Sequence, residues 1–279
     1  MKQHILKDNA LNEELQSQGF VVTNFCSTTL IEESFKKVLS QNKEVNLLSN
    51  NNQIIDVPFH CTYLDHDKFY KKQIWKILTN LIEPFLTETF IDYKIIQANL
   101  FNKAPGTGFI TPHQNLTTVD EEKYTSISIW VPLQNTNSNN GTLHFLPKSH
   151  GRFELYRNSN IHWAPMDASN QIDDYKMLPI NIKVGQALIF DDSIVHGSPD
   201  NKSAENRYVF HYLAIPNKSK PVFCKKVDGH VHLIEVDDMF WQNYTPGDEE
   251  PTSPIVKIQT FKPRIYTKEN LLDEMDRKH

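Results

Sequence analysis

Between about residues 91 and 215 the chain breaks into short runs of β-branched and aromatic residues separated by turn formers, and this texture restricts the fold more than any other feature. The runs are Ile91–Lys103, Thr125–Leu133, Gly141–Leu146, Ile180–Lys183, Gln186–Phe190 and Arg207–Ile215. Asn and Gly tolerate positive φ, so NTNSNNG at Asn135–Gly141 reads as a turn between two strands. Many short strands at this spacing bury their apolar faces by closing into an antiparallel sandwich or barrel.

Ahead of the β-run the apolar period is helical. Thr29 and Glu32 have capping-box spacing, and Ile31, Phe35, Val38 and Leu39 follow along one face. Asp67 is placed to cap a second helix with Ile74, Ile77, Leu78, Leu81, Ile82 and Phe85 on its inner side, which Pro84 is expected to end or kink. NLLSNNNQ, residues 46–53, reads as a loop. After Pro216 the pattern weakens, and the chain ends in TKENLLDEMDRKH, a charged stretch expected to be helical. The expected architecture is α+β in a single domain: a mainly helical part over 1–90, a jelly-roll core over 91–215, and a C-terminal extension over 216–279. That extension would pack on the core as a lid or a contact within a homo-oligomer.

At 279 residues and 39% hydrophobic, the chain can bury a sizeable core. A net charge of -5 with no run of Lys and Arg argues against a nucleic-acid partner. Cys26, Cys61 and Cys224 form no CxxC pair and read as buried, reduced thiols. No apolar run approaches the ~20 residues of a membrane span, and the start MKQHILKDNALNEELQ has no signal-like apolar stretch. The expectation is a soluble, cytoplasmic protein without a membrane partner.

Twelve histidines make any single one a weak signal. Two have informative surroundings. His113 lies in TPHQN, after the turn Pro105–Gly108, and His196 lies in DDSIVHGSPDN, after the strand-like QALIF. Arg207 follows eleven residues later and opens RYVFHYLAI. Two neutral imidazoles delivered from strand ends can hold a transition metal on one face and leave the other open. An Arg on the next strand can grip a carboxylate in bidentate fashion.

In their order and spacing these stretches resemble the phytanoyl-CoA dioxygenase family of iron(II)- and 2-oxoglutarate-dependent oxygenases, over roughly residues 13–215. The resemblance rests on ELQSQGFVVTNF, on PHQN where the family has H-x-D, on WVPLQNTNSNNGTLHFLPKSH and on VGQALIFDDSIVHGSPDNKSAENR. It implies a double-stranded β-helix of the cupin-like, jelly-roll kind, with iron(II) as cofactor and 2-oxoglutarate and dioxygen as cosubstrates. A small-molecule substrate would be hydroxylated at an unactivated C–H bond, with succinate and carbon dioxide formed from 2-oxoglutarate. His113 and His196 would be the metal imidazoles and Arg207 the anchor of 2-oxoglutarate. Gln97 and Asn99 share one face of their strand by alternation and would contact cosubstrate or substrate. Ser128 and Trp130, alternating on the next strand, suit the same cavity or plain sheet packing. His150 reads as a structural hydrogen-bonding residue, and His211 shares Arg207's face.

The departure is Asn115, which stands where the family carries its metal carboxylate. An amide oxygen is a weak, neutral ligand. Three explanations are open: a weak or vacant ligand position completed by water, a halide site as in related halogenases, or a carboxylate supplied by Asp120 or Glu121. The last requires LTTV to fold back as a loop; otherwise Asp120 and Glu121 read as a solvated turn. The alternatives to hydroxylation are accordingly a halogenase, a ligand-binding protein of this fold that has lost turnover, and, from fold alone, a sugar-binding jelly roll.

Overall fold

The computed structural model of the chain describes residues 4–41, 59–158 and 177–262. The 46–53 loop and the TKENLLDEMDRKH helix lie outside the described residues. Three α-helices precede most of the sheet. Helix α1 (Asn9–Gln18) is capped by Asp8 and stops at Gly19, whose φ of 87° suits a residue without Cβ. Helix α2 (Thr28–Ser40) starts two residues earlier than its sequence suggests: Ser27, extended at φ -64°, ψ 146°, accepts from Leu30 N, and Thr29 falls inside the first turn. Helix α3 (Lys68–Thr89) is capped by Asp67, which accepts from Phe69 N and Tyr70 N. Pro84 neither ends nor bounds it, for the helix runs on to Thr89. Burial of Leu81, Ile82 and Phe85 around the proline offsets the one backbone bond it removes.

The strands are β1 (Phe20–Asn24), β2 (His60–Cys61), β3 (Tyr93–Lys103), β4 (Ile110–His113), β5 (Ile127–Pro132), β6 (His144–Phe145), β7 (Leu178–Pro179), β8 (Gln186–Asp191), β9 (His196–Ser198) and β10 (Arg207–Pro216). They form a six-stranded sheet, β1-β8-β5-β10-β3-β2, and a four-stranded sheet, β4-β9-β6-β7, both antiparallel. Two expected strands shrink. Gly141–Leu146 keeps only β6, and Ile180–Lys183 keeps only a bridge between Thr136 and Ile182. There the Thr142 hydroxyl donates to the Ile180 carbonyl at 2.5 Å, so a side chain takes the place of a ladder bond.

Alternation along the large sheet divides the molecule. Ile127, Ile129 and Val131 of β5, Ala187 and Ile189 of β8, and Phe210, Tyr212 and Ala214 of β10 pack against Ile74, Leu78 and Ile82 of α3. The intervening residues face the small sheet, where Trp130, Leu188, Phe190 and Val209 meet Phe145. Ser128, Asn99, His211 and Arg207 share this interior parity. The outer side of β3 is closed by side chains: Thr62 Oγ1 accepts from Leu100 N at 3.1 Å and Gln242 Oε1 from Ala98 N at 2.8 Å.

Past Pro216 the chain is more regular than its weak pattern implies. Strands β11 (Val222–Val227), β12 (His230–Glu235) and β13 (Ile255–Thr260) form a third sheet, with the short helix α4 (Phe240–Asn243) between the last two. Phe223, Trp241 and Tyr244 pack on Ile96, Leu213 and Ile215, so this extension is built onto the core. Lys71 of α3, fully buried, donates to the Tyr244 and Tyr63 carbonyls and to Thr245 Oγ1, which fixes α4 beside α3. Among the described residues no helix is long and apolar enough to cross a membrane. All three cysteines are free, but Cys26, expected to be buried, is half-exposed because it sits at the edge before α2.

Candidate active site

His113 ends β4 and His196 opens β9, and the two strands pair with these residues in register. Their ring centroids are 4.4 Å apart. His113 Nδ1 lies 2.8 Å from the Thr111 carbonyl oxygen and His196 Nδ1 lies 3.0 Å from that of Ile194. A carbonyl only accepts, so both protons sit on Nδ1 and both Nε2 lone pairs are free. Burial, and for His196 the neighbouring His113, hold both imidazoles below the usual histidine range, so both are neutral at pH 7. Two imidazoles on one ion, with bonds of about 2.1 Å at right angles, place their centroids roughly 4.5 Å apart, so the pair fits a single metal. Among the described residues no group of three His, Cys, Asp or Glu is arranged to hold a metal ion.

Gly197 permits this approach. A Cβ there would lie 2.7 Å from the Ile110 carbonyl oxygen and 3.0 Å from Pro112 N, both backbone atoms of the facing strand.

Asn115 adjoins the pair. Its side-chain oxygen favours the protonated form of His113, which partly offsets the effect of burial on the imidazole. Its amide nitrogen donates to Asp192 Oδ1 at 2.8 Å and to Ser128 Oγ at 3.1 Å. Ser128 Oγ donates to the same Asp192 oxygen at 2.5 Å, and His211 Nε2 lies 3.0 Å from Ser128 Oγ. Because the serine proton is committed to Asp192, the imidazole is the donor in that last contact. Burial pushes Asp192 up to about 6 against the hydrogen bonds from Ser128, Asn115 and Ser126. It depresses His211 to about 4.

Asp120 and Glu121 stand elsewhere. LTTV is irregular in structure, and Asp120 pairs with Lys123 at 2.8 Å and Lys257 at 3.1 Å. Both Glu121 oxygens bind Arg157, at 2.5 and 2.8 Å, and its side chain is only 8% exposed, so it is not a solvated turn residue. Arg157 Nε in turn donates to the Asn115 carbonyl at 2.6 Å. Glu121 therefore braces the backbone of Asn115 from behind.

Arg207 is 3% exposed, and its guanidinium lies over the Trp130 ring at 5.3 Å. Its Nε and Nη1 are buried with no hydrogen-bond partner. Desolvation brings its proton affinity down to about 9. An unpaired buried guanidinium is costly, and a dicarboxylate such as 2-oxoglutarate is a fitting partner. Lys103, opposite Arg207 in the β3–β10 register, donates to Ser198 Oγ at 2.5 Å and to the Pro199 carbonyl at 2.9 Å. Burial, with Arg207 nearby, depresses it to about 6.

A cavity of about 160 Å³ is lined among others by Gln97, Asn99, Asn115, Ser128, Asp192 and Trp241; His113, His196, Arg207 and Trp130 are not part of its lining. Gln97 Nε2 is held by the Trp241 carbonyl at 2.9 Å, whereas Asn99 Oδ1 is buried and unpartnered. His150 is outside it, with Nε2 3.1 Å from the Gln16 carbonyl oxygen. Asp192, Arg157 and Lys103 were not singled out by sequence. Lys103 had a signal, sharing the inward parity of Gln97 and Asn99; the other two had none.

Comparison with known proteins follows this geometry. The family model described as phytanoyl-CoA dioxygenase matches residues 27–209. Phytanoyl-CoA dioxygenase domain-containing protein 1 from Danio rerio is 29% identical over 170 residues, 57% of this chain and 52% of that protein, so the chain spans about half the length of the curated relative it matches. The structure is similar to SnoK, an alpha-ketoglutarate-dependent carbocyclase of nogalamycin biosynthesis, with TM-score 0.54, 14% identity and 90% and 96% of the two chains covered. It is also similar to HygX from Streptomyces hygroscopicus, solved with nickel, 2-oxoglutarate and hygromycin B, with TM-score 0.52, 10% identity and 76% and 88% covered. At such identities the likeness concerns the fold, a double-stranded β-helix.

Proposed function

The chain belongs to the phytanoyl-CoA dioxygenase family, and on that premise we propose that it is an iron(II)- and 2-oxoglutarate-dependent oxygenase that hydroxylates a small organic molecule. The observation that carries the reading is the pairing of two neutral imidazoles with free Nε2 atoms, 4.4 Å apart, on the interior that also buries an unpaired guanidinium. His113 and His196 would hold the metal, with the Asn115 carbonyl oxygen as a neutral third ligand. Arg207 would bind the distal carboxylate of 2-oxoglutarate. Iron and 2-oxoglutarate would supply the oxidising chemistry, with the two atoms of dioxygen divided between succinate and the hydroxylated product and carbon dioxide released. The chain's own part is to fix both imidazole tautomers, to desolvate the cosubstrate's anchor, and to shape the cavity between Asn99, Ser128 and Trp241. A halide ligand is disfavoured, because Asn115 fills the position and Asp192 already makes it anionic.

The test is anaerobic titration of iron(II) and 2-oxoglutarate, followed by succinate formation in air. The intact chain should bind both and release succinate, and His196→Ala should abolish metal binding. A chain that binds 2-oxoglutarate no better with metal than without, or that forms no succinate, would end the reading.

A further inference from the structure

Position 115 lacks a carboxylate, yet one is buried directly behind it. Asp192 follows the last residue of β8 and is wholly inaccessible. Its Oδ1 receives the Asn115 amide and the Ser128 hydroxyl, the Ser126 side chain also favours its charged form, and no described Lys or Arg forms an ion pair with it. Arg157, whose charge is felt by Asp192, is itself paired with Glu121. A buried carboxylate without a counter-ion is costly, so the corner as built is short of one positive charge. Both hydrogens of the Asn115 amide are occupied, by Asp192 and Ser128, which turns its carbonyl oxygen away from them and onto the His113 side. The backbone is latched too, Asn115 N donating to the Asp192 carbonyl at 2.9 Å.

We propose that Asp192 replaces the missing metal carboxylate at one remove: it is a positioning residue that holds and polarises Asn115, so that the amide oxygen and the Asp192 charge together serve the metal bound by His113 and His196. This deepens the oxygenase reading and rests on it. An amide donating to a carboxylate gathers electron density on its own oxygen, as an imidazole does when a carboxylate takes its distal proton, and removing such a partner costs about 10–100-fold in metal affinity. The arrangement also makes Asn115→Asp on its own a poor repair, since two carboxylates in contact share a proton instead of both ionising.

Calorimetric titration of nickel(II) into the metal-free chain tests this without reference to turnover. Asp192→Asn is expected to weaken nickel about 10–100-fold, while the same change made in an Asn115→Ala background has little further effect. The exchanged pair, Asn115→Asp with Asp192→Asn, should recover affinity to within a few-fold of the original. Thermal unfolding of each metal-free variant reports folding, and Asp192→Ser, with the same expectation, replaces Asp192→Asn if that variant does not fold. Unchanged nickel binding in Asp192→Asn, or an equal loss in both backgrounds, overturns the proposal and leaves the oxygenase reading standing. If His196→Ala also binds nickel as the intact chain does, the metal centre itself is misassigned and both fall.

Discussion

Arg207 shows why a single side chain can be informative when its partners are counted. It is stacked on Trp130 and buried, and two of its nitrogens have nothing to donate to. Lysine would keep the charge but lose the planar stack and the fork, so the change is not conservative here. Arg207→Ala should weaken 2-oxoglutarate binding on the order of 10²-fold while moving nickel affinity by only a few-fold, and Arg207→Lys should fall between. Separate calorimetric titrations of the two ligands check this, and equal losses of both would instead mark Arg207 as structural. At this scale the two histidines and the arginine were legible in the sequence, because each sits beside a strand in an unusual setting. Asp192 was not, because its neighbours in sequence say nothing of a contact with residue 115.

At the scale of elements, the site depends on how closely β4 and β9 approach. Gly197 has an ordinary extended backbone, so its absence of a side chain matters for space and not for φ; a methyl group would press on Ile110 O and Pro112 N. Backbone atoms in a paired strand cannot rotate away. Gly197→Ala should therefore part the two strands, cost about 1–3 kcal/mol of stability, and weaken nickel binding at least tenfold, whereas Gly106→Ala, with open space around it but a φ of 74° that itself costs stability, should leave nickel affinity unchanged. Thermal melts and titrations of the two variants decide it. Elements also explain where periodicity misleads. Pro84 reads as a stop, but the tertiary burial on both sides of it carries α3 through. The β11–β13 sheet reads weakly because its strands are short and separated by a proline-containing segment, and β13 leaves Ile255, Val256 and Ile258 exposed, so alternation there is blurred.

Polar groups buried within the fold set the whole molecule's response to acid. His60 of β2 is 3% exposed, and burial depresses its imidazole to about 4. The unfolded residue takes up a proton near 6.5, the folded one only near 4, so the unfolded state binds more protons in between and stability falls as the pH drops through that window. Glu121 and Asp192, whose affinities are raised to about 7 and about 6, act in the opposite direction. The contribution of His60 is best read as a difference: relative to His60→Gln, the intact chain should lose melting temperature steadily between pH 6.5 and 4 and show no pH-dependent difference above 7. Parallel curves across the whole range would mean that His60 titrates normally.

The order of elements, the jelly-roll texture and the candidates His113, His196 and Arg207 follow from local signals: strand alternation, turn formers, and unusual residues at strand ends. Those properties are carried within a dozen residues and survive translation into any fold of this class. Which acid lies against Asn115 is a different kind of fact. Asn115 and Asp192 are 77 positions apart and meet through the arrangement of the β4–β9 and β5–β8 pairs, and Glu121, six residues from Asn115, turns instead to Arg157. Sequence spacing favours the nearer acid; only the packed sheets determine which carboxylate has a partner already and which is left buried without one.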